Sequence, residues 1–525
     1  MRGLFLFAAL SVNVLSEATF EPSHFNATAA LLQNGVHASV IPKAQCSCSV
    51  ACETLKRIFG DDQVETQSEP AYKTFVASYW SSQQKLMSPK CVFKPQKSLD
   101  VSTAILVARF TECKFAAKSG GHSAVPGGSN IQDGITISFE RMNQTILSAD
   151  KKSVSFQPGQ TWVQVYDKLA KDNVTIIGGR VADVGVGGLT MGGGISFFSS
   201  MYGLACDNVI SYELVTASGR IINVSKTSYP DLYQSLRGGG NNYGLVTKFT
   251  VVAIPRVGNM WGGSRLYTGA HIPALMKAYY NLGMSATKDP KAHQILSFSS
   301  LPEVGPVAVL QLDYADPTSN APVLSEYNAI PGAVTNATGV NSLSNLTVAL
   351  GTIPNSGTRQ LFRSWTAKLD LDMATTIKDI YLEELPSILN TTDILPALAL
   401  QVLTEPIIEK TQMNGGNILG LDPKNGPLIL ALISISWSNI ADDEKLHQFS
   451  ARVEKRAVAA AKAKGKHNDY IYMNYASQYQ DVVAGYGSAN KARMIAISHK
   501  YDPSGVFQKL QPGYFKLNGA PERGA

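Results

Sequence analysis

Charge is sparse in this chain. Only 16% of its 525 residues are Asp, Glu, Lys or Arg, the net charge is +6, and the basic residues are scattered along the sequence. A nucleic-acid surface needs a basic face or stripe, so that partner class finds no support. Beyond the first eighteen residues no apolar run is long enough to span a bilayer. Cysteine and histidine are few, six and eight. The cluster C-S-C-S-V-A-C at 46–52 has no histidine or second cysteine pair at a zinc-site spacing, so no metal is expected. No Lys-Ser/Thr pair follows a spaced glycine pair, and no G-x-G-x-x-G opens a helix behind a first strand. P-loop NTPases and Rossmann dehydrogenases are therefore poor readings. There is no internal repeat and no low-complexity linker.

What is present fits a large enzyme. At 525 residues and 44% hydrophobic, the chain can build two domains with substantial cores. Residues 1–18 read as a signal peptide: Arg2, the run L-F-L-F-A-A-L, then Ser16 and Ala18 before a cleavage point at Thr19. The expected location is outside the cell or in the secretory lumen. Asn-x-Ser/Thr sequons at Asn26, Asn143, Asn173, Asn223, Asn336, Asn345 and Asn390 fit a glycoprotein of that route. So do Cys46, Cys48, Cys52, Cys91 and Cys113, crowded early and leaving Cys206 apart. Six cysteines allow fifteen pairings, and the sequence does not choose among them.

Glycine supplies the chemistry. In A-K-S-G-G-H-S at 117–123, Gly120 and Gly121 can bring backbone N–H groups close to a phosphate, with His122 at the rim. Taken alone, this reads better as an ordinary turn with a hydrogen-bonded imidazole. Three further stretches follow in order: V-A-D-V-G-V-G-G-L-T-M-G-G-G-I-S at 181–196, Y-G-L-A-C-D-N-V at 202–209 and L-R-G-G-G-N-N-Y-G-L-V-T at 236–247. Near the C-terminus come Y-I-Y-M-N-Y at 470–475 and Y-D-P-S-G-V-F at 501–507.

Together these motifs resemble the vanillyl-alcohol oxidase superfamily of PCMH-type FAD-linked oxidoreductases, specifically the berberine-bridge-enzyme-like group, from about Cys91 to Phe515. The resemblance implies an α+β fold: a two-subdomain FAD-binding domain plus a substrate domain whose antiparallel sheet is covered by helices. It implies FAD bonded once, through His122, since the cysteine of bicovalent members is replaced by Val181. Ser119, Gly120, Gly121 and Ser123 would cradle the pyrophosphate. Gly188, Gly192, Gly193, Gly194 and Ile195 would form a second flavin loop, and Asn241, Tyr243, Gly244 and Val246 a third. Val184 falls where the family controls dioxygen access to the flavin. Tyr472 is the expected base, supported by Tyr475 and Asn474, although Tyr470 shares its strand parity. A bridge from the N-terminal cysteine cluster to Cys91 is also implied.

The expected organisation is a cysteine-rich segment (19–85), the FAD domain (86–257), the substrate domain (258–466) and a return to the FAD domain (467–525). Ser98 or Asp100 is expected to cap a helix ending before Cys113. Helices are expected at Trp162–Lys171 and Asp442–Lys464, and strands at F-A-A-K, G-I-T-I-S-F, S-V-S-F-Q-P-G, N-V-T-I-I-G-G, V-A-V-L-Q-L-D-Y and L-I-L-A-L-I-S-I-S-W. The implied function is oxidation of a small organic secondary metabolite, or its oxidative cyclisation, with O2 reduced to hydrogen peroxide. A carbohydrate or alcohol oxidase, a non-redox flavoprotein cyclase and a binding glycoprotein are the alternatives.

Overall fold

The computed structural model describes residues 20–22, 24–41, 47–255, 258–351 and 357–521. The expected signal peptide and Cys46 lie outside the described residues. The helix Ser98–Phe110 organises the first part of the chain. Its cap differs from expectation: Lys97 is the N-cap, and the Asp100 carboxylate reaches back to accept the N–H groups of Gln96 and Lys97 at 3.0 and 3.3 Å. Val101, Ala104, Ile105, Leu106, Val107 and Ala108 are all buried, because this helix lies between two sheets.

The first sheet has the order Val64–Thr66, Cys91–Phe93, Ile135–Ser138, Phe115–Lys118, with parallel pairing around Ile135–Ser138. The second is antiparallel, in the order Thr145–Leu147, Ser153–Phe156, Leu245–Val252, Val209–Val215, Ile221–Ser225. The segment N-V-T-I-I-G-G gives only the two-residue strand Val174–Thr175. Gly178 and Gly179 then pass so close to the Trp162 ring that a side chain at either would collide with it.

A third, nine-stranded antiparallel sheet is built mainly from Met260–Thr268, Ala292–Leu301, Gly305–Tyr314, Arg359–Lys368, Leu395–Leu403 and Leu428–Trp437. Side chains alternate across a strand, and here both faces are covered. In Leu428–Trp437, Ile429, Ala431, Ile433, Ile435 and Trp437 pack under helices. Leu428, Leu430 and Leu432 point the other way, Leu428 and Leu430 into the core that holds the second sheet. That two-sided burial explains a nearly unbroken apolar run. The covering helices are Ile272–Met284, Leu371–Glu384 and Asp443–Ala463. The last buries Leu446, Phe449, Val453, Ala457 and Ala461, a three-and-four spacing that forms one stripe. No helix of the described residues is long and apolar enough to cross a membrane.

The C-terminal residues come back against the first two sheets. The Asp502 carboxylate accepts the N–H groups of Val506 and Phe507, each at 2.8 Å, which folds D-P-S-G-V-F into a tight turn. Phe507 then enters the core beside Phe115, whose N–H bonds to the Leu510 carbonyl at 2.7 Å. The stretch 470–475 is not a strand: it is irregular and ends in a 3-10 turn at Met473–Tyr475.

Two disulfides pin the helix Cys48–Gln63 to this framework. Cys52 is bonded to Cys91 on the first sheet, as the resemblance implied, and Cys48 to Cys113, a pairing not foreseen. Replacing both Cys52 and Cys91 by alanine is expected to lower the unfolding free energy by about 2–4 kcal/mol, read as an earlier guanidinium midpoint.

Candidate active site

A cavity of about 550 Å³ lies beneath the third sheet, against the first two. Three glycine-bearing segments meet there because their backbones approach more closely than side chains permit. A Cβ on Gly120 would sit 2.5 Å from the Gly185 nitrogen, and one on Gly185 would sit 2.1 Å from the Gly120 nitrogen. Gly121 has φ +78°, which turns the chain so that His122 faces the cavity. Ser119 fastens the contact by accepting the Gly187 N–H at 3.1 Å while donating to the Pro158 carbonyl.

Most of the residues singled out in the sequence line this cavity: Ser119, Gly120, Gly121, His122, Ser123, Val184, Gly188, Ile195, Asn241, Gly244, Val246, Tyr472, Asn474 and Tyr475. Gly192, Gly193, Gly194 and Tyr243 stand behind its wall. The first of these makes room for Asn474, whose Oδ1 would be 2.1 Å from a Cβ on Gly192. The Gly194 N–H bonds to the Tyr472 hydroxyl, and Tyr243 is wholly buried in the core.

His122 stacks on Trp80 with ring centroids 3.9 Å apart and planes 16° from parallel, and its Nε2 lies 3.8 Å from Asp183 Oδ1. Burial lowers its pKa, with Asp183 pulling the other way. The imidazole is thus held in one plane at the cavity wall and favoured in its neutral, nucleophilic form.

Tyr472 and Tyr475, which both line the cavity, differ in kind. The Tyr472 hydroxyl accepts from the N–H groups of Gly194 and Ile195, both at 3.1 Å, and from Asn474 Nδ2 at 3.0 Å. Its ring is 2% exposed, and burial pushes the phenol well above its ordinary pKa, with Tyr475 adding to the effect and Asn474 opposing it. Tyr475 is less enclosed. Its hydroxyl receives Arg180 at 2.8 Å and, more weakly, Gln401 Nε2 at 3.4 Å. Tyr470 does not contend with them, being stacked on Tyr486 inside the core, 5.9 Å between centroids.

Behind Arg180 runs a buried chain that the sequence did not disclose. Arg180 donates to His293 Nε2 at 2.7 Å, His293 Nδ1 meets Asp313 Oδ2 at 3.0 Å, and Gln311 donates to the other Asp313 oxygen at 2.7 Å. A guanidinium cannot accept, so His293 is neutral and carries its proton on Nδ1. Burial holds the His293 pKa below its ordinary value, with Asp313 opposing and Arg180 assisting.

The site fits a flavin dinucleotide. Among its lining residues only Arg180 and Asp183 carry a formal charge, and neither belongs to the glycine loop at 119–123. A diphosphate there would be held by backbone N–H groups, the role that close glycine loops serve. Gln511 Oε1, buried and without a partner, also lines the cavity and awaits a donor. Lys516 locks this wall to the third loop through Asn241, at 3.2 Å to the carbonyl and 3.1 Å to Oδ1.

Comparison with known proteins agrees. The FAD binding domain family matches residues 89–225. The FAD-dependent monooxygenase FUP4 of Fusarium proliferatum (strain ET1) is 34% identical over 494 residues, covering 90% of this chain and 95% of that protein. FAD-dependent monooxygenase drtC of Aspergillus calidoustus is 33% identical over 487 residues, covering 91% of each. Among solved structures, Physcomitrella patens BBE-like 1 superposes with a TM-score of 0.73 at 19% identity, covering 90% of this chain and all of that one. The chain belongs to the same family as these FAD-dependent relatives, and its fold is that of BBE-like 1. It is an FAD-dependent oxidoreductase.

Of the residues the sequence reading missed, Arg180 sits beside a motif already noted, in G-G-R-V-A-D. His293 and Asp313 are direct cross-strand partners, and Gln401 comes from a third strand. No linear motif joins them.

Gly120→Ala is expected to purify with little or no flavin, seen as loss of visible absorbance per mole of protein. Acidification is expected to act through His293. Its depressed folded-state pKa means the unfolded chain takes up the proton first, so stability is full above about pH 6.5 and falls as pH drops below that. His293→Gln should flatten this slope in denaturation midpoints measured between about pH 7 and 5.

Proposed function

We propose that this enzyme is an oxidase: it removes two electrons from a small organic secondary metabolite and delivers them to O2, forming hydrogen peroxide. The observation that carries the reading is the meeting, in one cavity, of the His122 glycine cradle and the Tyr475–Arg180 pair. Bound FAD supplies the two-electron acceptor and the site of dioxygen reduction. The residues supply everything else.

His122 is the attachment point, and Trp80 and Asp183 set its plane and its neutral form. Tyr475 is the better base of the two phenols. Arg180 stands on its oxygen and would stabilise a phenolate there, the form able to take the substrate proton. Tyr472 positions the second glycine loop through its two backbone bonds, and Asn474 fixes Tyr472 while donating to the Leu189 carbonyl at 3.0 Å. Val184, half-buried on the cavity wall, leaves room for dioxygen.

The curated relatives carry the name monooxygenase, which favours a second reading in which one oxygen atom enters the product. Labelled dioxygen separates the two: label in peroxide supports the oxidase, and label in product the monooxygenase. Two disulfides and seven exposed sequon asparagines support passage through the secretory route.

Acid precipitation should leave flavin in the pellet of the wild type and release it from His122→Ala. Flavin released from the wild type would remove the covalent assignment. Tyr475→Phe should slow anaerobic flavin reduction by about a hundredfold or more. Tyr472→Phe should chiefly weaken flavin retention.

A further inference from the structure

The roof of the cavity is one face of the third sheet, and its register can be read row by row. One cross-strand row is Ser297, Ala399, Leu432, and the next is Ala397, Ser434, Phe362. Ile295 and Gln401 lie two residues further along their own strands on the same face. The central strand thus contributes two alanines, flanked by Ile295, Leu432 and Phe362. This makes a shallow apolar trough, closed at one side by Leu350 and Tyr475. Of the side chains from this sheet that line the cavity, the polar ones are Ser297, Ser434 and Gln401.

Gln401 is the informative one. It is 4% exposed and lines the cavity, and its Nε2 is spent on Tyr475, yet its Oε1 has no hydrogen-bond partner. A buried amide oxygen left unpaired is costly, so one on a side chain that lines a binding cavity marks where a ligand donor belongs. The donor would sit beside the Tyr475 hydroxyl, the oxygen that Arg180 supports.

Resting on the oxidase reading above, we propose that the substrate is a mainly apolar ring compound bearing a hydroxyl. The ring lies in the Ala397–Ala399 trough, and the hydroxyl donates to Gln401 Oε1 within reach of Tyr475. A sugar oligomer is the wrong chemistry for this roof. Each of its rings presents several hydroxyls, and burying them against Ile295, Leu432 and Phe362 would strand them. The same geometry makes Gln401 a specificity residue, because an analogue without the O–H leaves its oxygen unpaired.

The test is binding of probes to oxidised holoenzyme, followed by perturbation of the flavin absorption. β-Naphthol is the ring with a donor, its methyl ether the same ring without one, and cellobiose the sugar. β-Naphthol is expected to bind saturably, its ether about tenfold or more weakly, and cellobiose not to displace it. Gln401→Leu should bring β-naphthol down to the affinity of the ether. Equal affinity of the two naphthyl probes for the wild type would overturn the assignment of Gln401. Displacement by cellobiose would overturn the substrate class. Should Gln401→Leu fail to hold flavin, the two naphthyl probes on the wild type decide. Binding requires no turnover. Absence of peroxide with every substrate would therefore remove the oxidase reading and leave this measurement standing, and a peroxide-forming enzyme that ignores β-naphthol would remove only the substrate class.

Discussion

The approach of Gly120 to Gly185 is the constraint from which the site follows. Two loops from different parts of the chain touch backbone to backbone, with no space for even a methyl group at either residue. Because they touch, the turn at Gly121 delivers His122 to the cavity wall, and Ser119 can bridge to Gly187 and Pro158. The segment beyond Gly185 then carries Gly188 and Ile195 past the ends of Tyr472 and Asn474. His122 and the hydroxyl-bearing Tyr472 and Tyr475 thereby line one cavity.

The polar end is assembled from both halves of the molecule. Arg180 arrives on the loop before Gly185, His293 and Asp313 on neighbouring strands of the third sheet, and Tyr475 on the C-terminal turn. Arg180 thus joins the C-terminal turn to the strand that carries His293.

Legibility in the sequence followed locality. Glycine loops, the long helix at 443–463 and the two-sided strand at 428–437 were readable because their signals lie within a few residues. The cap of the helix Ser98–Phe110 was misread because Asp100 acts from inside the first turn. The Y-I-Y-M-N-Y segment alternates like a strand, yet its tyrosines are claimed by different partners, Tyr470 by Tyr486 and Tyr472 by the glycine loop, and no ladder forms. Most of the cofactor loops were visible. The roof was not, since Ser297, Ala399 and Leu432 become neighbours only through strand register.

That register has an evolutionary consequence. In Leu428–Trp437 the residues that hold the helices and those that face the cavity alternate, and Leu395–Leu403 divides the same way, with Leu398 and Leu400 in the helix-side core and Ala397, Ala399 and Gln401 lining the cavity. Stability and selectivity are therefore written on opposite faces of the same strands. Lineages can rewrite the ligand face one residue at a time while the helical layer stays intact, so a single scaffold can diversify across many small molecules without refolding.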